Sequence, residues 1–90
     1  MTKEDELNRE YPTIKKTLMR RICERKNADG VADVKEVIDS YRGYQDKELV
    51  EKAILKYEEE NDFYDISNGK IVLTTTGIDE CERKNPGMDD

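Results

Sequence analysis

Residues 63–77 read FYDISNGKIVLTTTG. Asn68-Gly69 lies between two β-prone runs, FYDIS and KIVLT, and Asn-Gly is the strongest short hairpin signal because both turn residues must take positive φ. A two-residue loop sets Ser67 opposite Lys70, Ile66 opposite Ile71, Asp65 opposite Val72 and Tyr64 opposite Leu73. Tyr64, Ile66, Ile71 and Leu73 then share one face, while Asp65, Lys70 and Val72 point the other way. A two-stranded ribbon alone is marginal in water. Its apolar face therefore needs helices to cover it.

Three helices precede the ribbon. Residues 1–11, with Leu7 and Tyr11 spaced by four, read as a flexible arm or a frayed helical turn. Pro12 suits a first helical position, and Ile14, Leu18 and Ile22, widened by Met19, form an apolar stripe that runs to the Asp29-Gly30 turn. Asp33 caps a second helix, with Glu36 completing a capping box and Val34, Val37, Ile38 and Tyr41 on one face. Gly43 breaks that helix, and Asp46 caps a third with Leu49, Val50, Ala53, Ile54 and Tyr57 inward, ending near Asn61. After Gly77 a short helix is expected over 78–85. The domain spans residues 12–85, and Pro86-Gly87 opens a disordered tail, 86–90. Leu18, Ile22, Val37, Ile54 and Leu73 should be buried.

The composition restricts what such a domain does. Ninety residues, 42% of them charged, with a mean hydropathy of -1.01, allow one small core and no deep cavity. The longest apolar run is three residues, against the roughly 20 of a membrane helix, and no signal peptide is legible, so a soluble, cytoplasmic protein with no membrane contact is expected. With no histidine and two cysteines, the chain lacks a Cys/His zinc site and a Ser-His or Cys-His pair. Cys23 and Cys81 could in principle cross-link, but a lone pair in a chain with no legible secretory signal is more often two buried or half-buried thiols, and both are read as packing residues. Glu58, Glu59, Glu60 and Asp62 point in different directions on a helix and lack EF-hand spacing. An enzyme is not expected, and neither a cofactor nor a metal is called for.

The element order helix, helix, helix, hairpin, short helix resembles the winged helix-turn-helix superfamily, and Leu73-Thr74-Thr75-Thr76-Gly77 is similar to the L-T-x-x-G ending of the wing strand in its regulators. The resemblance covers about residues 13–84. It implies a mainly α fold with a small β-hairpin, in which a three-helix core carries a two-stranded wing and a short C-terminal helix. It also implies that the third helix enters the major groove of double-stranded DNA, with the wing on the backbone or minor groove.

The charge distribution divides the functional expectation. Residues 13–26 carry six basic residues against one acid, a local +5 within a net charge of -6. Residues 46–62 carry three lysines against seven acids, where DNA has about one negative charge per 1.7 Å of axis. As a DNA-binding transcriptional regulator, the protein would read bases through Gln45, Lys47 and Lys52, with Lys56 on the flank of the same helix as a further nucleic-acid contact, and hold phosphates with Lys70, Lys16, Arg20 and Arg21. The alternative is a protein-interaction module. Leu55 is then an apolar anchor rimmed by Glu48, Glu51 and Glu59, presented to a basic partner. A homodimer would use Leu7 and Tyr11, the exposed side of the first helix near Met19, or Ile78 and Cys81.

Overall fold

The computed structural model describes residues 3–41 and 47–87. Its elements are α1 (Lys3–Arg25), β1 (Val31–Asp33), α2 (Val34–Ser40), α3 (Lys47–Glu60), β2 (Tyr64–Ser67), β3 (Lys70–Leu73) and α4 (Thr75–Cys81). The fold is mainly helical with a small three-stranded antiparallel sheet, in the order β1-β3-β2. Gly43 and the expected cap Asp46 lie outside the described residues.

The hairpin has the predicted register, Ser67↔Lys70 through Tyr64↔Leu73, with Asn68 at φ 52° and Gly69 at φ 74°. Tyr64, Ile71 and Leu73 are buried and Ile66 is half-buried, while Asp65, Lys70 and Val72 are exposed. The inner face closes a core that includes Ile14, Leu18, Ile22, Val37, Val50, Ala53 and Ile54. All five residues expected to be buried are buried. Tyr64 crosses this core, and its hydroxyl donates to the Ile54 carbonyl at 2.6 Å. Burial, the largest cause, pushes that hydroxyl well above the ordinary tyrosine range, so the phenol stays a neutral donor.

The sheet has a third strand that the sequence reading lacks, and the two-stranded wing becomes a three-stranded sheet. β1 pairs Val31↔Val72, Ala32↔Ile71 and Asp33↔Lys70. A three-residue strand with one buried position offers no period to detect. The turn before it is set locally, since Asn27 Oδ1 accepts from the Asp29 and Val31 amides and Gly30 takes φ 77°. Asp33 then caps α2, as expected, by accepting from the Lys35 amide at 2.9 Å.

Four further expectations are corrected. The first helix begins at Lys3, not Pro12, and Pro12 lies inside it, so residues 3–11 are helix. Tyr11 is buried and Leu7 packs on the core, a tertiary gain that offsets the backbone hydrogen bond Pro12 removes. Met19, which widens the α1 stripe, is fully buried with it, so it offers nothing to the dimer surface expected on the exposed side of the helix nearby. The segment after α4 returns over it, and a Cβ on Gly87 would lie 2.7 Å from Met19 Cβ. The last helix spans 75–81 instead of 78–85, because Thr74 caps it by accepting from the Gly77 amide. Gly77 is required there, since a Cβ would come within 1.8 Å of the Phe63 carbonyl oxygen.

The cysteines are the fourth correction. Cys23 on α1 and Cys81 on α4 form a disulfide, with Cα atoms 5.5 Å apart, so they are not free packing thiols. Pairing across 58 residues of sequence leaves no local trace. The chain after α4 is held as well. Buried Glu80 accepts from Arg83 Nη1, at 3.0 and 2.8 Å on its two oxygens, and from the Gly87 amide at 2.6 Å. Pro86 is buried. Residues 86 and 87 are thus ordered, and residues 88–90 of the expected tail lie outside the described residues.

Candidate functional site

α3 buries Leu49, Val50, Ala53, Ile54 and Tyr57, so its helical period turns Glu48, Glu51, Leu55 and Glu59 outward. All four are exposed, and Leu55, at 43%, is the most exposed large apolar side chain among the described residues. The strip is acidic around one leucine. Glu51 and Glu59 have no cationic partner among the described residues.

Of the eight basic and polar residues considered for nucleic acid, the seven that are described do not converge. Gln45 lies outside the described residues. Lys47 Nζ is 3.7 Å from Asp39, and Lys52 Nζ is 3.9 Å from Glu48 one turn earlier on α3. Lys56 Nζ donates to Asn8 Oδ1 at 3.3 Å and sits 4.8 Å from the centre of the Tyr11 ring. Tyr11 in turn donates to the Glu60 carboxylate. Burial, then that carboxylate, pushes its hydroxyl well above the ordinary range. Lys56 and Tyr11 therefore help fasten the N-terminal half of α1 to α3. Arg21 stacks on Tyr41 at 4.2 Å, donates through Nη1 to the Ser40 carbonyl at 2.7 Å and through Nε to Thr17. It is a brace between α1 and α2.

Lys16 and Arg20 are exposed and carry no hydrogen bond or ion pair among the described residues. α1 and α3 pack through their buried stripes, so these two cations, opposite the α1 stripe, point away from the outward strip of α3. The positive island of the sequence is thus divided: Lys16 and Arg20 face away from the acidic strip, Lys15 lies 5.6 Å from the centre of the Tyr11 ring, and Arg21 is held against α2.

Lys70, at the base of the hairpin turn, pairs with Asp33 Oδ2 at 2.9 Å. This contact exists because β1 joins the sheet and brings Asp33 opposite Lys70. The Lys70 ammonium, then the Lys35 amide, hold the Asp33 carboxyl below its usual range. A depressed folded-state pKa gives a contribution that is complete above the unfolded aspartate value and is lost as pH falls through the folded one. Lys70→Ala should therefore lower stability at neutral pH by an amount that shrinks in acid. Urea unfolding of the two proteins across the acid range checks this, and a difference that persists unchanged below the carboxylate range contradicts it.

Several grooves open on these faces, among them one of 400 Å³ between α2 and the hairpin turn, lined by Val34, Lys35, Glu51, Gly69 and Lys70. A polar one of 630 Å³ between α1 and α2 is lined by Glu24, Arg25, Glu36, Asp39 and Ser40. Another, 560 Å³, runs between α1 and α3 and includes Leu7, Lys52, Leu55 and Glu59. A smaller cleft of 210 Å³ lies between α2, α3 and the hairpin, lined by Val34, Glu51, Ile54, Leu55, Ile66 and Gly69. Leu55 is the ridge between the last two. The sequence identified that ridge and its acidic rim but missed the cleft, because Val34 and Ile66 reach it only through the packing of α2 and the hairpin. Among the described residues no group of three or more Cys, Asp or Glu is placed to hold a metal, and no helix is long and apolar enough to cross a membrane. No family model, curated protein or solved structure matches this chain.

Proposed function

We propose that the chain is a winged helix-turn-helix module that works as a protein-interaction domain, presenting the outward face of α3 to a basic partner surface. The fold reading is supported by the succession α1-β1-α2-α3-β2-β3 with β1 closing the sheet beside β3. The functional reading rests on one observation: Glu48, Glu51 and Glu59 surround exposed Leu55, while the basic residues described on α3 and the hairpin engage neighbouring side chains or lie beside them. An apolar anchor with a charged rim is the usual make-up of a binding hot spot. Potential complementarity then selects a cationic partner.

Double-stranded DNA is the second reading, that of a transcriptional regulator. It is favoured by the β2–β3 hairpin that follows α3, as a wing would, and by exposed Lys47 in the first turn of α3. The two readings separate by salt and by site. Poly-L-lysine added to the isotope-labelled protein should shift the backbone resonances of Glu48, Glu51, Leu55 and Glu59, and Glu51→Lys with Glu59→Lys should remove the effect. Mixed-sequence duplex DNA should not bind at roughly 50 mM salt, where non-specific attraction is strong. Duplex binding that weakens linearly in log salt and is reduced by Lys47→Ala and Lys52→Ala would instead establish the DNA reading. Shifts spread evenly over every acidic surface would remove the α3 face from consideration.

The Cys23–Cys81 bond bears on location. A cytoplasmic setting suits it where intracellular disulfides persist, as in hyperthermophiles, and elsewhere the bond favours an oxidising compartment.

A further inference from the structure

We propose that the cleft between α2, α3 and the hairpin receives one aliphatic side chain of the partner, and that Glu51 pairs with a lysine or arginine adjacent to it in the partner's sequence. This rests on the reading of α3 as a protein-binding face and specifies what that face takes.

The cleft has the size and lining for this occupant. Its 210 Å³ is below the roughly 300–1,000 Å³ of small-molecule sites, and it lacks the convergent polar groups that orient a metabolite. Val34, Ile54, Leu55 and Ile66 give it aliphatic walls. Ile54 is fully buried beneath, Val34 and Ile66 are half-buried, and Gly69 at the hairpin turn adds no side chain to obstruct the entrance. The walls are also fixed. Val34 donates its amide to the Gly69 carbonyl at 3.1 Å, and the Ile66 amide donates to Glu58 Oε2 at 2.7 Å, so α2 and α3 are each tied to the hairpin that closes the far side. A pre-formed apolar pocket costs the partner little ordering beyond its own anchor.

Charge decides between occupants. Glu51 is the one charged residue lining the cleft among the described residues, is exposed, and has no cation of its own. Glu58 and Glu59 continue the acidic rim along α3, while Lys35 and the Lys70–Asp33 pair border the neighbouring groove beside α2. An aliphatic anchor followed by a cation satisfies both features of the cleft. An acidic neighbour would meet Glu51 across a short distance and be repelled. Duplex DNA offers no aliphatic anchor of this shape and carries the wrong charge.

The test uses three defined probes, N-acetyl-leucyl-arginine amide, N-acetyl-leucyl-glutamate amide and N-acetyl-seryl-arginine amide, titrated into the full chain with labelled methyl groups. The Leu-Arg probe should shift the methyl resonances of Val34, Ile54, Leu55 and Ile66 and saturate in the millimolar range, with the other two about tenfold weaker or more. Glu51→Lys, a surface change, should reverse the preference between Leu-Arg and Leu-Glu. Equal response to the Ser-Arg probe, or no response of these methyls, overturns the proposal. If the methyls stay still while poly-L-lysine moves the α3 strip, the cleft proposal falls and the α3 reading stands; if neither responds, both fall. Methyl shifts that grow with protein concentration alone would assign the cleft to a second copy of this chain, and shifts with duplex DNA would assign it to nucleic acid. Either outcome also overturns the proposal.

Discussion

Reducing the Cys23–Cys81 bond, or replacing Cys81 by serine, should remove about 4 kcal/mol of stability, the figure that loop-closure entropy gives for a cross-link spanning 58 residues. Domains of this length have roughly 5–15 kcal/mol in total, so the change takes a large share of it. The cross-link acts mostly on the unfolded chain, which it keeps compact. Urea unfolding should therefore show two changes at once, a lower midpoint and a steeper dependence on denaturant, because the open chain exposes more surface. The α4 cap, Thr74, still donates its amide to the Phe63 carbonyl and its hydroxyl to the Asp62 carbonyl after reduction, so the start of α4 should stay in place in the folded state. An unchanged midpoint after verified reduction would show that the bond contributes nothing to folding.

Replacing Ile54 by alanine should cost about 2–5 kcal/mol. Ile54 is fully buried, its carbonyl accepts the Tyr64 hydroxyl, and its side chain forms part of the cleft wall. The backbone acceptor survives the substitution, so the loss comes from the removed methyl groups and the space they leave. Chemical denaturation measures it, and a loss below about 1 kcal/mol would mean that α3 tolerates rotation about its axis. The same variant widens the cleft floor. A Leu-Arg probe should then bind less well than to the parent even where the protein remains folded.

The features legible in the sequence were those with a local physical cause. Asn68-Gly69 set a positive-φ turn, and through it the whole register of β2 on β3. The stripes Ile14-Leu18-Ile22 and Val50-Ala53-Ile54-Tyr57 identified the buried faces, and the same period placed Leu55 outward among acids. What stayed hidden depends on partners distant in the chain. β1 exists because β3 has a free edge for three residues to join. Lys70 meets Asp33 only once that pairing forms, so a residue read as free for phosphate is engaged in the fold. Pro12 looked like a boundary because its lost hydrogen bond is local, whereas the burial of Tyr11 that carries the helix through it is not. A lone cysteine pair reads as thiols by composition, and only tertiary contact between α1 and α4 brings the two together.

The Cys23–Cys81 bond also has a topological consequence. α2, α3 and all three strands lie within the covalent ring that it closes. A single protease cut anywhere between residues 24 and 80 therefore releases no fragment: the nicked chain gains one water in mass and migrates as one species until reductant is added, when it separates into two. Limited digestion analysed with and without reductant thus reports which connections are accessible while the clipped molecule stays whole, and a nicked form that still binds would show that the two pieces, joined by the disulfide, keep the α3 face assembled without an unbroken backbone.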